Sequence, residues 1–165
     1  MSSTHGDSEE PGSKVPSHAD KALPIGSGAW LPSPQAPGRS LGGTTIYDRL
    51  GGPEPFWKVA RAFYARIEVH AALRPMFPAD LEEPIRNQAE FLIQYFGGPQ
   101  AYSDRKGHPR LRMRHAKFRI DVAARNAWVE AMKQALEDAQ IPEPERAEMI
   151  RYFEHAATFL VNTDE

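Results

Sequence analysis

From Thr44 onward, apolar residues return every three or four positions and the runs are cut by proline and glycine. Phe56, Val59, Ala60, Phe63, Tyr64 and Ile67 lie on one face of a 3.6-residue period, which predicts an amphipathic helix from Pro53 to about Val69. A short helix over 44–50 precedes it, carrying Ile46, Tyr47 and Leu50 and ended by Gly51-Gly52. Pro75 and Pro78 bracket Met76-Phe77, and a residue before proline disfavours helix, so Phe77 is expected in a tight connection. The next stripe, Ile85, Gln88, Ala89, Leu92 and Phe96, predicts a helix from Glu82 to Phe96, stopped by Gly97-Gly98-Pro99. Residues 100–110 read as an irregular connection leading into a short segment around His115. Ala124, Trp128, Met132, Ala135 and Leu136 predict a helix over 121–140, broken by Pro142 and Pro144. Ala147, Ile150, Phe153, Ala157, Leu160 and Val161 predict the last, over 143–161. No window alternates at the two-residue period of a strand, so the fold class is all-α.

Residues 1–43 behave differently: 21 of them are Pro, Gly or Ser, with no periodic stretch. Such a segment cannot bury enough apolar surface to offset its ordering entropy, and a flexible extension is expected, with Trp30 and Leu31 its only bulky apolar pair. One folded domain over 44–165 remains, consistent with 165 residues at 41% hydrophobic content.

The absence of cysteine excludes disulfides, thiolate catalysis and cysteine-ligated clusters. Any metal must enter through His, carboxylate or a cofactor. A formal net charge of −2 gives no sign of a nucleic-acid or membrane partner, no apolar run approaches the roughly 20 residues of a membrane span, and no signal-peptide pattern opens the chain, so a cytoplasmic protein is expected.

The charge is nevertheless uneven. Between Arg105 and Arg119 stand seven Lys or Arg and no acid, with His115 among them. On a short helix Leu111 and His115 share a face. A metal ligand beside a cationic collar suits a porphyrin iron with two propionates, with Arg114 or Arg112 reaching a propionate. Leu111, Met113 and Phe118, interleaved with the cations, suit packing on an apolar disc better than stacking of single bases, which argues against a nucleic-acid patch. Of the other histidines, His5 and His18 fall in the extension, His70 ends a predicted helix as a cap, His108 lies in a loop and His155 borders a stripe. If His115 takes the iron with one ring nitrogen, the other needs an acceptor such as a backbone carbonyl.

Three hydrogen-bond donors, Tyr64, Gln88 and Trp128, fall where helices should be buried. A buried donor without a partner costs on the order of 1–3 kcal/mol. Dioxygen held at an iron carries partial negative charge and would give all three a common acceptor. The alternative is that Tyr64 and Trp128 are core aromatics whose polar tips find carbonyls or water.

The ordered set Phe63-Tyr64, Leu73-Arg74-Pro75-Met76-Phe77-Pro78, Phe91-Leu92, Gln94-Tyr95-Phe96-Gly97-Gly98-Pro99, Tyr102-Ser103, Gly107 through His115, Phe118-Arg119-Ile120 and Ala127-Trp128 resembles the group II truncated haemoglobins over residues 44–163. The resemblance implies a globin-like two-over-two helical sandwich around haem b, His115 as proximal iron ligand, and Tyr64 and Trp128 as distal donors. It puts Phe63, Phe77, Pro84, Phe91, Leu92, Leu111, Met113 and Phe118 around the haem. Phe77 lacks the hydroxyl that tyrosine-bearing relatives have there, and the Gln88 amide stands in for it. Pro84 departs from the small residue usual at its position. Proline suits only a first helical turn, so either this helix starts late or the match is one residue off. The implied activity is binding of dioxygen, carbon monoxide or nitric oxide with slow release, supporting nitric-oxide or peroxide removal with a reductase, in a monomer or homodimer. A non-enzymatic oxygen store, carrier or sensor is the second reading and a haem-free basic module the third.

Overall fold

The computed structural model describes residues 44–163; the segment 1–43, with Trp30, Leu31, His5 and His18, lies outside the described residues. Among the described residues seven α-helices follow one another: α1 (Ile46–Arg49), α2 (Glu54–Val69), α3 (Glu82–Tyr95), α4 (Ala101–Lys106), α5 (Leu111–His115), α6 (Val122–Asp138) and α7 (Glu145–Leu160). A 3-10 turn, Arg74–Met76, joins α2 to α3. Among the described residues there is no strand.

Local chemistry sets the helix starts. Thr45 and Asp48 form a reciprocal capping box on α1, and Asp121 Oδ1 accepts from the Ala124 N–H at 2.7 Å to open α6. Pro142 and Pro144 delay α7 to Glu145, two residues later than the sequence reading. Gly97, at φ +102°, ends α3 in a conformation that favours glycine, and a Cβ there would strike Thr45.

Two helix pairs stack as a two-over-two sandwich: α2 packs on α3, α6 packs on α7, and α2 crosses α6. The core between them is built from Phe56, Val59, Phe63 and Ile67 of α2, Leu92 and Phe96 at α3, Met132, Ala135 and Leu136 of α6, and Met149 and Phe153 of α7. The predicted α2 face is buried throughout. On α7 the buried face is Met149, Tyr152, Phe153, Ala156 and Ala157, turned from the predicted stripe, because Ala147 and Ile150 are only half-buried and Tyr152 takes a core position. Arg49 joins α1 to α7 through Glu145 at 2.6 Å and Glu148 at 3.0 Å.

The stretch expected to be irregular contains α4. Six residues are too few to show a period, and long-range contacts hold them. Gln94 Oε1 accepts from the Ser103 N–H at 2.9 Å, its Nε2 donates to Ser103 Oγ at 2.7 Å, and Arg105 reaches Glu90 at 2.7 Å. Tyr102 is buried beneath.

Candidate functional site

Between the helix pairs and α5 lies a cavity of about 420 Å³, of the size that holds a cofactor. Leu73, Met76, Phe77, Phe91, Leu92, Leu111, Phe118, Ile120, Ala156 and Leu160 give it an apolar wall. Tyr64, Gln88, Trp128 and His115 bring polar groups into it, and Lys106, Arg114, Lys117 and Arg125 add cationic side chains.

His115 arrives on α5, a helix of five residues that packs on α7. Its Nδ1 stands 2.7 Å from the Leu111 carbonyl oxygen, one turn back. A carbonyl only accepts, so Nδ1 carries the proton and Nε2 keeps its lone pair. Burial lowers the His115 pKa below the ordinary histidine value, opposed by that hydrogen bond. The ring is therefore neutral at pH 7, as a metal ligand must be. Among the described residues no cluster of three or more His, Cys, Asp or Glu could hold a bare metal ion, so a lone imidazole suits a metal already chelated.

Tyr64 of α2 is 7% exposed, and desolvation pushes its pKa far above the ordinary tyrosine value, leaving the hydroxyl protonated and able to donate. Its ring meets Phe63 edge-on at 5.1 Å and Phe77 at 5.6 Å. Trp128 of α6 is held between Phe63 at 5.5 Å and Phe153 at 5.9 Å. Phe63 thus backs both donors without lining the cavity itself. Gln88 of α3 is the unusual member. Its Nε2 faces only the Met132 sulfur at 3.7 Å, a weak acceptor, and its Oε1 is buried without a partner. The protein satisfies neither end of this amide with a strong partner, which is what a side chain awaiting a ligand looks like.

Pro84 lines the cavity from the third position of α3. The Ile85 N–H bonds to the Leu81 carbonyl at 2.9 Å, so Pro84 stands in the first turn, where its missing N–H costs nothing. The departure noted in the sequence is accommodated by where α3 begins.

Besides Phe63, which was also expected at the haem, two more of the expected residues lie outside the cavity lining. Met113 is 45% exposed, because on α5 it is two residues from both Leu111 and His115 and so points away from their face. Arg112 also turns outward, its guanidinium 5.3 Å from the Phe159 ring centre, and it borders a second, surface depression. Arg114 lines the main cavity while donating to the carbonyls of Pro109 at 2.9 Å and Lys106 at 2.8 Å. Phe77, Phe91, Leu92, Leu111 and Phe118 all line the cavity. The sequence reading did not single out Asn87, Tyr102 or Arg125 as lining residues. Asn87 is tied to Arg105 at 2.7 Å and Arg125 to Thr158 at 2.8 Å, pairings that only the folded chain creates. His70 accepts from the Leu73 N–H at 3.2 Å, a local turn contact, while His108 and His155 are exposed.

A two-over-two helical fold enclosing an apolar slot, with one neutral imidazole and a cationic margin, defines a haem-binding globin. The chain belongs to the bacterial-like globin family, whose profile matches residues 45–162. A group 2 truncated hemoglobin of Bacillus subtilis is 38% identical over 114 residues, covering 69% of this chain and 86% of its own. Among solved structures, the hemoglobin of Chloroflexus aurantiacus is 52% identical with a TM-score of 0.70, covering 72% of this chain and 98% of its own. The truncated oxygen-avid haemoglobin of Bacillus subtilis is 36% identical with a TM-score of 0.69, covering 72% of this chain and 100% of its own. This chain is a haem-based gas-binding protein, and its cofactor is iron protoporphyrin IX.

Proposed function

We propose that the protein holds haem b through His115 Nε2, retains dioxygen strongly, and uses it or peroxide in detoxification rather than in transport. The observation that carries this reading is a cavity that receives Tyr64, Trp128 and Gln88, whose Nε2 is held only by the weakly accepting Met132 sulfur. When bound, the haem supplies an iron that takes dioxygen, nitric oxide or carbon monoxide. The protein's own part is to present donors. The Tyr64 hydroxyl, kept protonated by burial, the Trp128 indole N–H and the Gln88 amide can each donate to a ligand bearing partial negative charge. The surrounding apolar wall excludes water and strengthens those bonds. Arg114 and Lys117, at the same cavity, provide cations for the propionates.

A hydrogen bond to a charged group is worth about 1.5–3 kcal/mol, or roughly 10- to 100-fold in a dissociation rate if it acts on the barrier. Several such bonds make a carrier that unloads poorly. The truncated haemoglobin of Bacillus subtilis is oxygen-avid, which supports this reading. The test is the oxygen dissociation rate of the haem-loaded protein and of Tyr64→Phe and Trp128→Phe, with nitric-oxide and peroxide consumption followed beside an efficient reductase. Slow release that quickens about tenfold or more in both variants, together with consumption, supports the proposal. Rapid release with no consumption returns the protein to the class of oxygen stores or sensors.

A further inference from the structure

The basic segment is more than the haem cavity can use. Of the chain's 20 basic residues seven lie between Arg105 and Arg119, which contain none of its 22 acidic ones, so the remainder is nine charges negative. Elsewhere several cations are paired: Arg49, Arg66, Arg86, Lys133 and Arg146 each meet a carboxylate. Arg105 and Lys106, at the start of the segment, do the same with Glu90 and Glu83. Arg110, Arg112, Arg114 and Lys117 are exposed and, among the described residues, none forms an ion pair. Arg114 and Lys117 line the haem cavity and have a use there; Arg110 and Arg112 do not. Arg112 is steadied over Phe159, and the exposed Met113 lies between the cations of α5. The inner face of α5 carries Leu111 and His115 into the cavity, so a single five-residue helix separates this patch from the haem site.

We propose that the outer face of α5, centred on Arg110, Arg112 and Met113, is the docking surface for an acidic electron-donor protein of the flavin or iron–sulfur class. The proposal rests on the redox reading above, which needs a reductant, and it names the surface that receives it. Charge complementarity selects the partner. An extended polyanion or an anionic membrane would meet the negative remainder of the molecule beyond the patch, whereas a protein with a compact acidic face would meet the patch alone. The dipolar charge distribution would also orient the encounter, and small transient interfaces of this kind need little buried area. The exposed, apolar Met113, flanked in sequence by Arg112 and Arg114, provides the short-range contact that steering by charge lacks.

The experiment measures binding of a small acidic flavodoxin to the haem-loaded full-length protein by calorimetry, at about 20 mM and about 150 mM salt. Binding at low salt that weakens severalfold at the higher salt is expected. Joint Arg110→Glu and Arg112→Glu should raise Kd at least about tenfold, Arg112→Gln should give an intermediate loss, and Lys58→Glu on α2 should change nothing. An unaltered carbon monoxide spectrum in each variant shows that the fold and haem site are intact. No binding at low salt, a Kd indifferent to the charge reversal, or tighter retention on phosphatidylglycerol vesicles than on flavodoxin would overturn the proposal. Rapid oxygen release by the wild type would instead overturn the detoxification reading while leaving the docking result to stand by itself.

Discussion

His115 Nδ1 and the Leu111 carbonyl oxygen, 2.7 Å apart within α5, leave Nε2 as the ring nitrogen with a free lone pair. The contact joins neighbours one helical turn apart, so α5 positions its own imidazole without help from a distant side chain. Replacing His115 with Gly should leave the helices in place and abolish most haem retention. Haem transfer to an acceptor globin should quicken by at least about tenfold, and added imidazole should restore much of the Soret band. Unchanged haem loss would show that another group holds the iron.

The protein gives the Gln88 amide only a weak partner, the Met132 sulfur, at Nε2 and leaves its buried Oε1 without one. Such an atom costs on the order of 1–3 kcal/mol. Gln88→Leu should therefore make the haem-free protein as stable as the wild type or more so in urea, while the haem-loaded variant releases oxygen faster. A loss of apoprotein stability together with unchanged release would assign Gln88 to packing alone.

Glu90, 8% exposed, receives Arg86 at 2.7 Å and Arg105 at 2.7 Å, the latter holding α4 to α3. Burial pushes its pKa up, but the hydrogen bonds and charges of Arg86 and Arg105 outweigh burial and bring it below the ordinary glutamate value. A carboxylate depressed in the folded state adds stability that is present above its unfolded pKa and is lost as pH falls through the folded one. Stability should decline as pH drops from about 5 through 4 and below. Glu90→Gln should cost about 1–3 kcal/mol at pH 7 and flatten that decline, as read by chemical denaturation across pH.

Gly97 closes α3 with φ +102° directly against Thr45. Gly97→Ala combines an unfavourable backbone with a clash and should cost about 1–3 kcal/mol, seen as a lower thermal midpoint by circular dichroism. Gly51→Ala, also at positive φ but with open space for a Cβ, should cost less. Equal losses at the two positions would mean that the contact with Thr45 contributes nothing.

Much of the fold was legible because it follows from local rules. Apolar spacing marked α2, α3 and α6 from Phe56 to Leu136, proline and glycine marked their ends, and the pairing of His115 with a cationic run marked the chemistry. The fold alone decided what depends on distant partners. It formed α4 through the contacts of Gln94 and Glu90 and rotated α7 to bury Met149 and Tyr152. It also divided the arginines of α5, sending Arg114 to the cavity and Arg112 to Phe159. By itself the sequence determined a helical protein with one histidine in a basic collar, since periodicity and residue chemistry act over a turn or two of chain. Only the tertiary structure decided which polar groups share the cavity and which cations remain outside it, because those outcomes depend on packing between residues tens of positions apart.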